Sequence, residues 1–270
     1  MGRDSVRVIV TGASGRMGRM LVRAVTDAKG MILAGATERA GSEHLGRDAG
    51  ELAGIETLAV PLIENIENCP EADVVIDFTA PAATLAHAKF VADHGMRIVI
   101  GTTGFSSLQL EELKQILAAT SVVMAANYSV GVNLALNLVK QAAEVLGPDY
   151  DAEIYEAHHK HKVDAPSGTA LAIGHSLAEG RGVDLEQMAV YAREGITGAR
   201  KAGMIGFSVV RGGNIVGDHK AMFISDEERI EIAHVASDRM VFAKGAARAA
   251  GWLKGQESGW FDMRDVLGLS

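Results

Sequence analysis

Between Glu153 and Thr169 the chain reads EIYEAHHKHKVDAPSGT, and five consecutive side chains, His158, His159, Lys160, His161 and Lys162, can carry positive charge. Imidazole titrates near neutral pH and can give or take a proton. Lysine is a compact cation that can hold a carboxylate or polarise an imine nitrogen. The run follows a strand pattern, EIYEA, and precedes Ser167, Gly168 and Thr169 at the start of a helical pattern. A helix start offers unpaired N–H groups and a positive dipole end to an anion. Imidazoles, ammonium groups and a helix N-terminus together favour a substrate with more than one carboxylate. Two other readings compete. The run can be a solvated surface stretch, or its three histidines can bind zinc. Against zinc, neighbouring strand residues face opposite ways, so His158 and His159 diverge, and the intervening lysines repel a cation. Nucleophilic catalysis has little support: Cys69 precedes Pro70 in a polar stretch without a nearby base, and Ser167 has no G-x-S-x-G surroundings.

A second chemical feature lies near the start. Gly12, Gly15 and Gly18 follow the β-branched run Val6–Val10 and open a helical pattern. Glycines so placed allow a tight turn and close approach of a pyrophosphate to backbone N–H groups, and Arg16 adds a cation. The spacing is G-x-x-G-x-x-G rather than G-x-G-x-x-G. Glu38 stands at the end of the next strand pattern, where an acidic group binds the adenosine ribose hydroxyls of NAD. Arg39 follows it, suited to the 2′-phosphate of NADP. Use of NADH, NADPH or both is therefore expected. Gly101-Thr102-Thr103-Gly104 and Ala125–Tyr128 (AANY) each follow a strand pattern, and small residues and hydroxyls there suit a nicotinamide and its ribose.

The elements that must position these groups alternate along the first half. Strands are expected at Val6–Val10, Met31–Thr37, Ala72–Phe78, Arg97–Ile100 and Ser121–Ala125, with helices at Arg19–Ala28, Pro81–His94 and Ser107–Ala119. This order predicts an α/β fold with a parallel sheet covered on both faces. After Tyr128 the pattern changes. A long helix, Gly131–Leu146, precedes a strand at Ala152–Ala157 and a helix at Gly168–Ala178. Strands follow at Ile205–Arg211, Ile215–His219, Ala221–Ile224 and Glu228–His234, then a helix at Phe242–Leu253. Short turns between strands predict a mixed or antiparallel sheet in an α+β second domain.

The 270 residues are 48% apolar and 22% charged, a globular composition. A net charge of −8 argues against a nucleic-acid partner. No apolar run reaches the ~20 residues of a membrane span, so no membrane partner is expected. The single cysteine fits a reducing compartment, and with no signal-peptide pattern a cytoplasmic protein is the expectation.

The chain resembles the 4-hydroxy-tetrahydrodipicolinate reductase family of bacterial lysine biosynthesis nearly end to end. The segments carrying the resemblance are VTGASGRMG, IDFTAP, VIGTTGF, AANYSVGVN, EAHHKHKVDAPSGTA, YAREGITG, GDHKAMF and FDMRDVLGL. The resemblance implies NAD(P)H-dependent reduction of a cyclic imine dicarboxylate with loss of water, toward diaminopimelate and lysine. It implies a Rossmann dinucleotide-binding domain (1–130 plus 241–270), a substrate-binding and tetramerisation domain (131–240) with a mixed sheet, a homotetramer, and hinge closure during catalysis. By the same resemblance His158 is the general acid and Lys162 the second catalytic cation. His159, Ser167, Gly168 and Thr169 form the substrate-carboxylate site. Gly12, Ala13, Ser14, Gly15, Arg16, Met17, Glu38, Arg39, Gly101, Thr102, Thr103, Ala125, Ala126, Asn127 and Tyr128 form the cofactor site, and no metal is involved. Ser14 stands where Ala or Gly is common, and Tyr128 where Phe is common. The rival functions are a reductase of a different imine or keto dicarboxylate, and a catalytically silent dinucleotide sensor that binds a protein partner.

Overall fold

The computed structural model describes residues Ser5–Leu269. Met1–Asp4 and Ser270, part of the expected first domain, lie outside the described residues. In chain order the elements are β1 (Val6–Thr11), α1 (Arg16–Asp27), β2 (Met31–Thr37), α2 (Ala49–Ala53), β3 (Leu62–Ile63), β4 (Val74–Asp77), α3 (Pro81–Asp93), β5 (Arg97–Ile100), α4 (Ser107–Ile116) and β6 (Ser121–Met124). They continue with α5 (Val130–Leu146), β7 (Asp151–His158), α6 (Gly168–Arg181), α7 (Leu185–Met188), β8 (Ala189–Val190), β9 (Ile205–Arg211), β10 (Gly217–Ile224), β11 (Arg229–Ala236), α8 (Met240–Leu253), β12 (Gly259–Phe261) and α9 (Met263–Leu267). Two compact units result, one running to Val130 and resuming at Met240, the other Gly131–Arg239.

The first unit holds a seven-stranded parallel sheet in the order β12-β6-β5-β4-β1-β2-β3. Successive side chains of a strand face opposite sides, and both sides here are apolar. Val8 and Val10 join Leu21, Val22 and Val25 of α1 and Ala246 and Ala250 of α8 in one core. Ile9 joins Val75, Ile98, Val91 of α3 and Leu113 of α4 in the other. Strand order reverses between β1 and β4, and ligands bind outside the carboxyl ends of strands at such a switch point. α3 begins with Pro81 at its first position, where a missing N–H costs nothing.

The second unit is a five-stranded mixed sheet, β11-β10-β7-β9-β8. β7 pairs antiparallel with β10 and parallel with β9. α5 and α6 cover one face, burying Val139, Ala143, Ile173 and Leu177 against Ile154, Phe207, Ala221 and Phe223. The other face, carrying Tyr155, Ser208 and Met222, is half-buried to exposed. In place of the expected pair of strands at Ile215–His219 and Ala221–Ile224 there is one continuous strand, β10, which starts at Gly217 and leaves Ile215 and Val216 outside it. Lys220 does not break it: its ammonium extends from the open face to Glu231 of β11, 2.7 Å away.

Candidate active site

In the first unit, β1 ends in Thr11 and Gly12 turns the chain with φ +60°, a left-handed conformation that glycine adopts freely. α1 starts after Gly15, and no side chain caps its N-terminus. Its first N–H groups are thus left for an anion. A Cβ on Gly18 would lie 2.1 Å from the Gly12 carbonyl oxygen, so only glycine lets the helix approach the loop this closely. The adjoining cleft, about 790 Å³, is lined by Gly12, Ser14, Gly15, Glu38, Arg39, Phe78, Thr79 and His87 among others. That size suits a small-molecule ligand. A second hollow at the strand ends is lined by Met17, Phe78, Gly101, Thr103, Ala126, Asn127, Tyr128 and Phe242. Uncapped helix, close-approach glycine and terminal acid together fit a dinucleotide.

The expected cofactor residues divide in position. Ala13 is buried, Arg16 is exposed and Ala125 is half-buried; none of the three lines either hollow. Thr102 is buried, and its hydroxyl sits 2.9 Å from that of Thr84 and 3.3 Å from Asp77. It builds the wall rather than lining it. Asp77, fully buried, also accepts from the Thr79 hydroxyl at 2.6 Å and meets the His87 ring at 2.7 Å. Tyr128 turns its hydroxyl into the sheet, toward the carbonyls of Ile100 at 2.7 Å and Val123 at 3.0 Å. Its extra oxygen is therefore satisfied away from the hollow, and its ring packs 5.2 Å from Phe78. Glu38 bends back to the glycine loop: one carboxylate oxygen accepts from the N–H of Ser14 at 3.1 Å and from its hydroxyl, the other from the N–H of Arg39 at 2.9 Å. Partial burial opposes its charge, but these bonds outweigh it and hold the carboxyl below the ordinary range.

In the second unit, the buried face of β7 runs Ala152, Ile154, Glu156, His158, apolar and then ionisable. Glu156 is the hub. One of its oxygens lies 2.6 Å from His158 Nδ1. The Arg211 guanidinium donates to both oxygens at 2.8 Å, and the Ser167 N–H to one at 3.0 Å. Register explains the arginine: Arg211 sits opposite His158 across the β7–β9 ladder. Burial works against the Glu156 charge, but Arg211, His158 and the Ser167 N–H prevail and keep its pKa low. A charged carboxylate only accepts, so the shared proton belongs to Nδ1. That leaves Nε2 for chemistry. Gly217 keeps Nε2 clear, since a Cβ there would stand 3.0 Å from it.

The same carboxylate ties the imidazole to the start of α6. Ser167 is the N-cap, its hydroxyl accepting from the Ala170 N–H at 3.2 Å. It also meets His219 Nε2 at 3.0 Å, and it is 2% exposed. Ser167 thus braces the turn, while Gly168 is exposed and Thr169 half-buried. Burial, then the repulsion of His158, lowers the His219 pKa to about 4, so this ring is neutral at pH 7. Lys162 pairs with Asp164 at 2.9 Å. His159 approaches Arg239 at 3.4 Å, and burial followed by the charges of Arg239, His158, His161 and Lys162 lowers its pKa. A dianion among these groups would offset their mutual repulsion. Among the described residues no three His, Cys, Asp or Glu side chains converge to hold a metal ion. Sequence reasoning missed Glu156, Arg211, His219 and Arg239. Only Glu156 left a signal, an acid two residues before His158 and hence on the same strand face.

Comparison with known proteins covers both units. The family profile described as "Dihydrodipicolinate reductase, N-terminus" matches residues 6–128, and "Dihydrodipicolinate reductase, C-terminus" matches 131–267. A 4-hydroxy-tetrahydrodipicolinate reductase of Acinetobacter baylyi is 54% identical over 98% of this chain and 97% of its own. One from Magnetococcus marinus is 52% identical over 98% and 99%. The solved structure of dipicolinate-bound dihydrodipicolinate reductase from Paenisporosarcina sp. TG-14 superposes with a TM-score of 0.76 at 25% identity, covering 96% of this chain and 97% of that one. An amine dehydrogenase from Mycobacterium smegmatis shares the fold, with a TM-score of 0.59 at 13% identity.

Proposed function

The chain belongs to the dihydrodipicolinate reductase family, and from that membership we propose that it reduces 4-hydroxy-tetrahydrodipicolinate to tetrahydrodipicolinate, with loss of water, in the diaminopimelate route to lysine. The observation that carries this reading is the buried Glu156 carboxylate, which holds both the His158 ring and the first turn of α6. A proton donor is thereby fixed beside an anion-binding helix start.

The cofactor is a nicotinamide dinucleotide; when bound, its reduced ring supplies the hydride. Gly12, Gly15 and the start of α1 take the pyrophosphate, with Arg16 beside them. Glu38 and Arg39 take the adenosine ribose. Gly101, Thr103, Ala126 and Asn127 line the hollow for the nicotinamide end. In the second unit Gly168 and Thr169 bind one substrate carboxylate through the helix start, while His159 and Lys162 hold the dianion. His158 delivers the proton from Nε2, while its Nδ1–H stays hydrogen-bonded to the Glu156 carboxylate. Overall, hydride and one proton enter, the substrate hydroxyl leaves as water, and the ring imine is retained. Fixed donors and cations aligned on the substrate provide much of the acceleration.

We place the enzyme in the cytoplasm, where its single half-buried Cys69 needs no partner; burial raises that thiol to about 11. No helix among the described residues is long and apolar enough to cross a membrane. A homotetramer is supported by the open face of the five-stranded sheet, where Tyr155, Met222 and the 64%-exposed Val235 await cover. Light scattering tests it. The activity is tested by following NADH and NADPH oxidation with enzymatically generated substrate. Oxidation coupled to tetrahydrodipicolinate formation is expected; binding of dinucleotide without turnover would favour the sensor reading instead.

A further inference from the structure

We propose that Ser14 selects the cofactor: by tethering the Glu38 carboxylate to the glycine loop, it makes the site favour a dinucleotide with a free adenosine-ribose 2′-hydroxyl over one with a 2′-phosphate. This rests on reading the first-unit cleft as a dinucleotide site. Ser14, Glu38 and Arg39 all line that cleft. Three donors converge on the one carboxylate: the Ser14 N–H and hydroxyl on one oxygen, and the Arg39 N–H on the other. The backbone beneath is fixed as well, since the Glu38 N–H donates to the Ile63 carbonyl at 2.9 Å in the strand-end pairing.

The consequence follows from charge. A ribose diol donates hydrogen bonds, and a pinned, ionised carboxylate is a ready acceptor for them. A 2′-phosphate brings close to two negative charges. To accept it, the carboxylate must swing aside and leave Arg39 to grip the phosphate. Arg39 is exposed and has the reach of a long side chain. Glu38 can swing only by giving up the Ser14 hydroxyl, a charge-assisted bond. Ser14 acts through Glu38, which makes it a positioning residue.

The test is calorimetric binding of NADH and of NADPH to the full chain without substrate, for the wild type and for Ser14→Ala, Ser14→Thr, Glu38→Gln and the Ser14→Ala/Glu38→Gln double variant. The wild type should bind NADH more tightly. Ser14→Ala should tighten NADPH about tenfold, the scale of one charge-assisted bond, with NADH changed less than about threefold. Ser14→Thr, which keeps the hydroxyl, should keep the preference. In the Glu38→Gln background, where the amide oxygen still accepts but carries no charge, the NADPH gain from Ser14→Ala should fall well below tenfold. Equal effects of Ser14→Ala on both cofactors, or an undiminished effect without the Glu38 charge, would overturn the proposal while leaving the cofactor site intact. A wild type that binds neither dinucleotide would sink the cofactor reading and this inference with it.

Discussion

Replacing Glu156 with glutamine keeps the side-chain shape and removes one negative charge. The Glu156 side chain is 1% exposed and accepts from Arg211 twice, from His158 and from the Ser167 N–H. Each bond to a charged group contributes about 1.5–3 kcal/mol, but the terms are not additive. Arg211 keeps 21% of its side chain in water, which softens the loss of its partner. A folding cost of about 2–4 kcal/mol results, toward the lower side of breaking a buried pair. For a chain of this size that lowers Tm by about 5–10 °C. The effect on turnover has a different origin. The amide can point an N–H at Nδ1 and favour the wrong tautomer, and it cannot balance an imidazolium. We expect kcat to fall about 10²-fold, or about 2.7 kcal/mol of barrier. NADH affinity, set in the other unit, should stay within twofold. Steady-state kinetics below the variant's Tm, with calorimetric NADH binding, provide the assay. Nitrogen NMR of the imidazole reads the tautomer separately, with Nδ1–H expected in the wild type and its loss in the variant. A Glu156→Gln enzyme with kcat within threefold of wild type would refute the reasoning.

Four further outcomes are expected. His158→Gln should lower kcat by about 10²–10⁴ with unchanged NADH binding, and adding Glu156→Gln should cost little more, because the two act as a unit. Gly217→Ala places a methyl 3.0 Å from His158 Nε2 and should reduce kcat about tenfold at unchanged NADH affinity if Nε2 is the reacting nitrogen; wild-type kcat would assign the chemistry elsewhere. The Glu156 carboxyl lies below its ordinary 4.5, so its contribution to stability is complete above about pH 4.5 and is lost as pH falls through the folded value. The Tm gap between wild type and Glu156→Gln should therefore close in acid. His219 acts earlier. Held by burial at about 4 against an ordinary 6.5, it stays neutral while the unfolded chain takes up a proton, so stability should fall between pH 6.5 and 4 and fall less in His219→Gln. Thermal melts across that range check both.

Much of the first unit was legible because its strands are short apolar runs, each stopped by glycine or a polar turn. Met31–Thr37 and Arg97–Ile100 match the expected bounds residue for residue. Elements too short to show a period were not legible. α2 exists because Asp48 caps it and pulls Leu58 and Val60 onto the same carboxylate. β12 exists because the sheet edge at β6 offers Gly259–Phe261 a partner. In β10 a lysine interrupts the apolar run, which makes one strand look like two, although the alternation of a half-open sheet permits it. In the segment from Glu153 to Thr169, sequence supplied the histidines, the lysine and the helix start. It did not supply their electrostatics. Arg211 reaches Glu156 only through strand register, and Ser14 meets Glu38 only after a strand and a helix bring residues 24 positions apart together. Such contacts are products of tertiary packing and leave no local pattern.

The most direct measurement is turnover of enzymatically generated 4-hydroxy-tetrahydrodipicolinate by the wild type and by His158→Gln, monitored as NADH loss with the product identified by mass spectrometry. One tetrahydrodipicolinate per NADH oxidised, with the rate collapsing in the variant while NADH still binds, is the result this structure predicts. NADH binding without substrate-dependent oxidation in the wild type, or an undiminished rate in the variant, would contradict it.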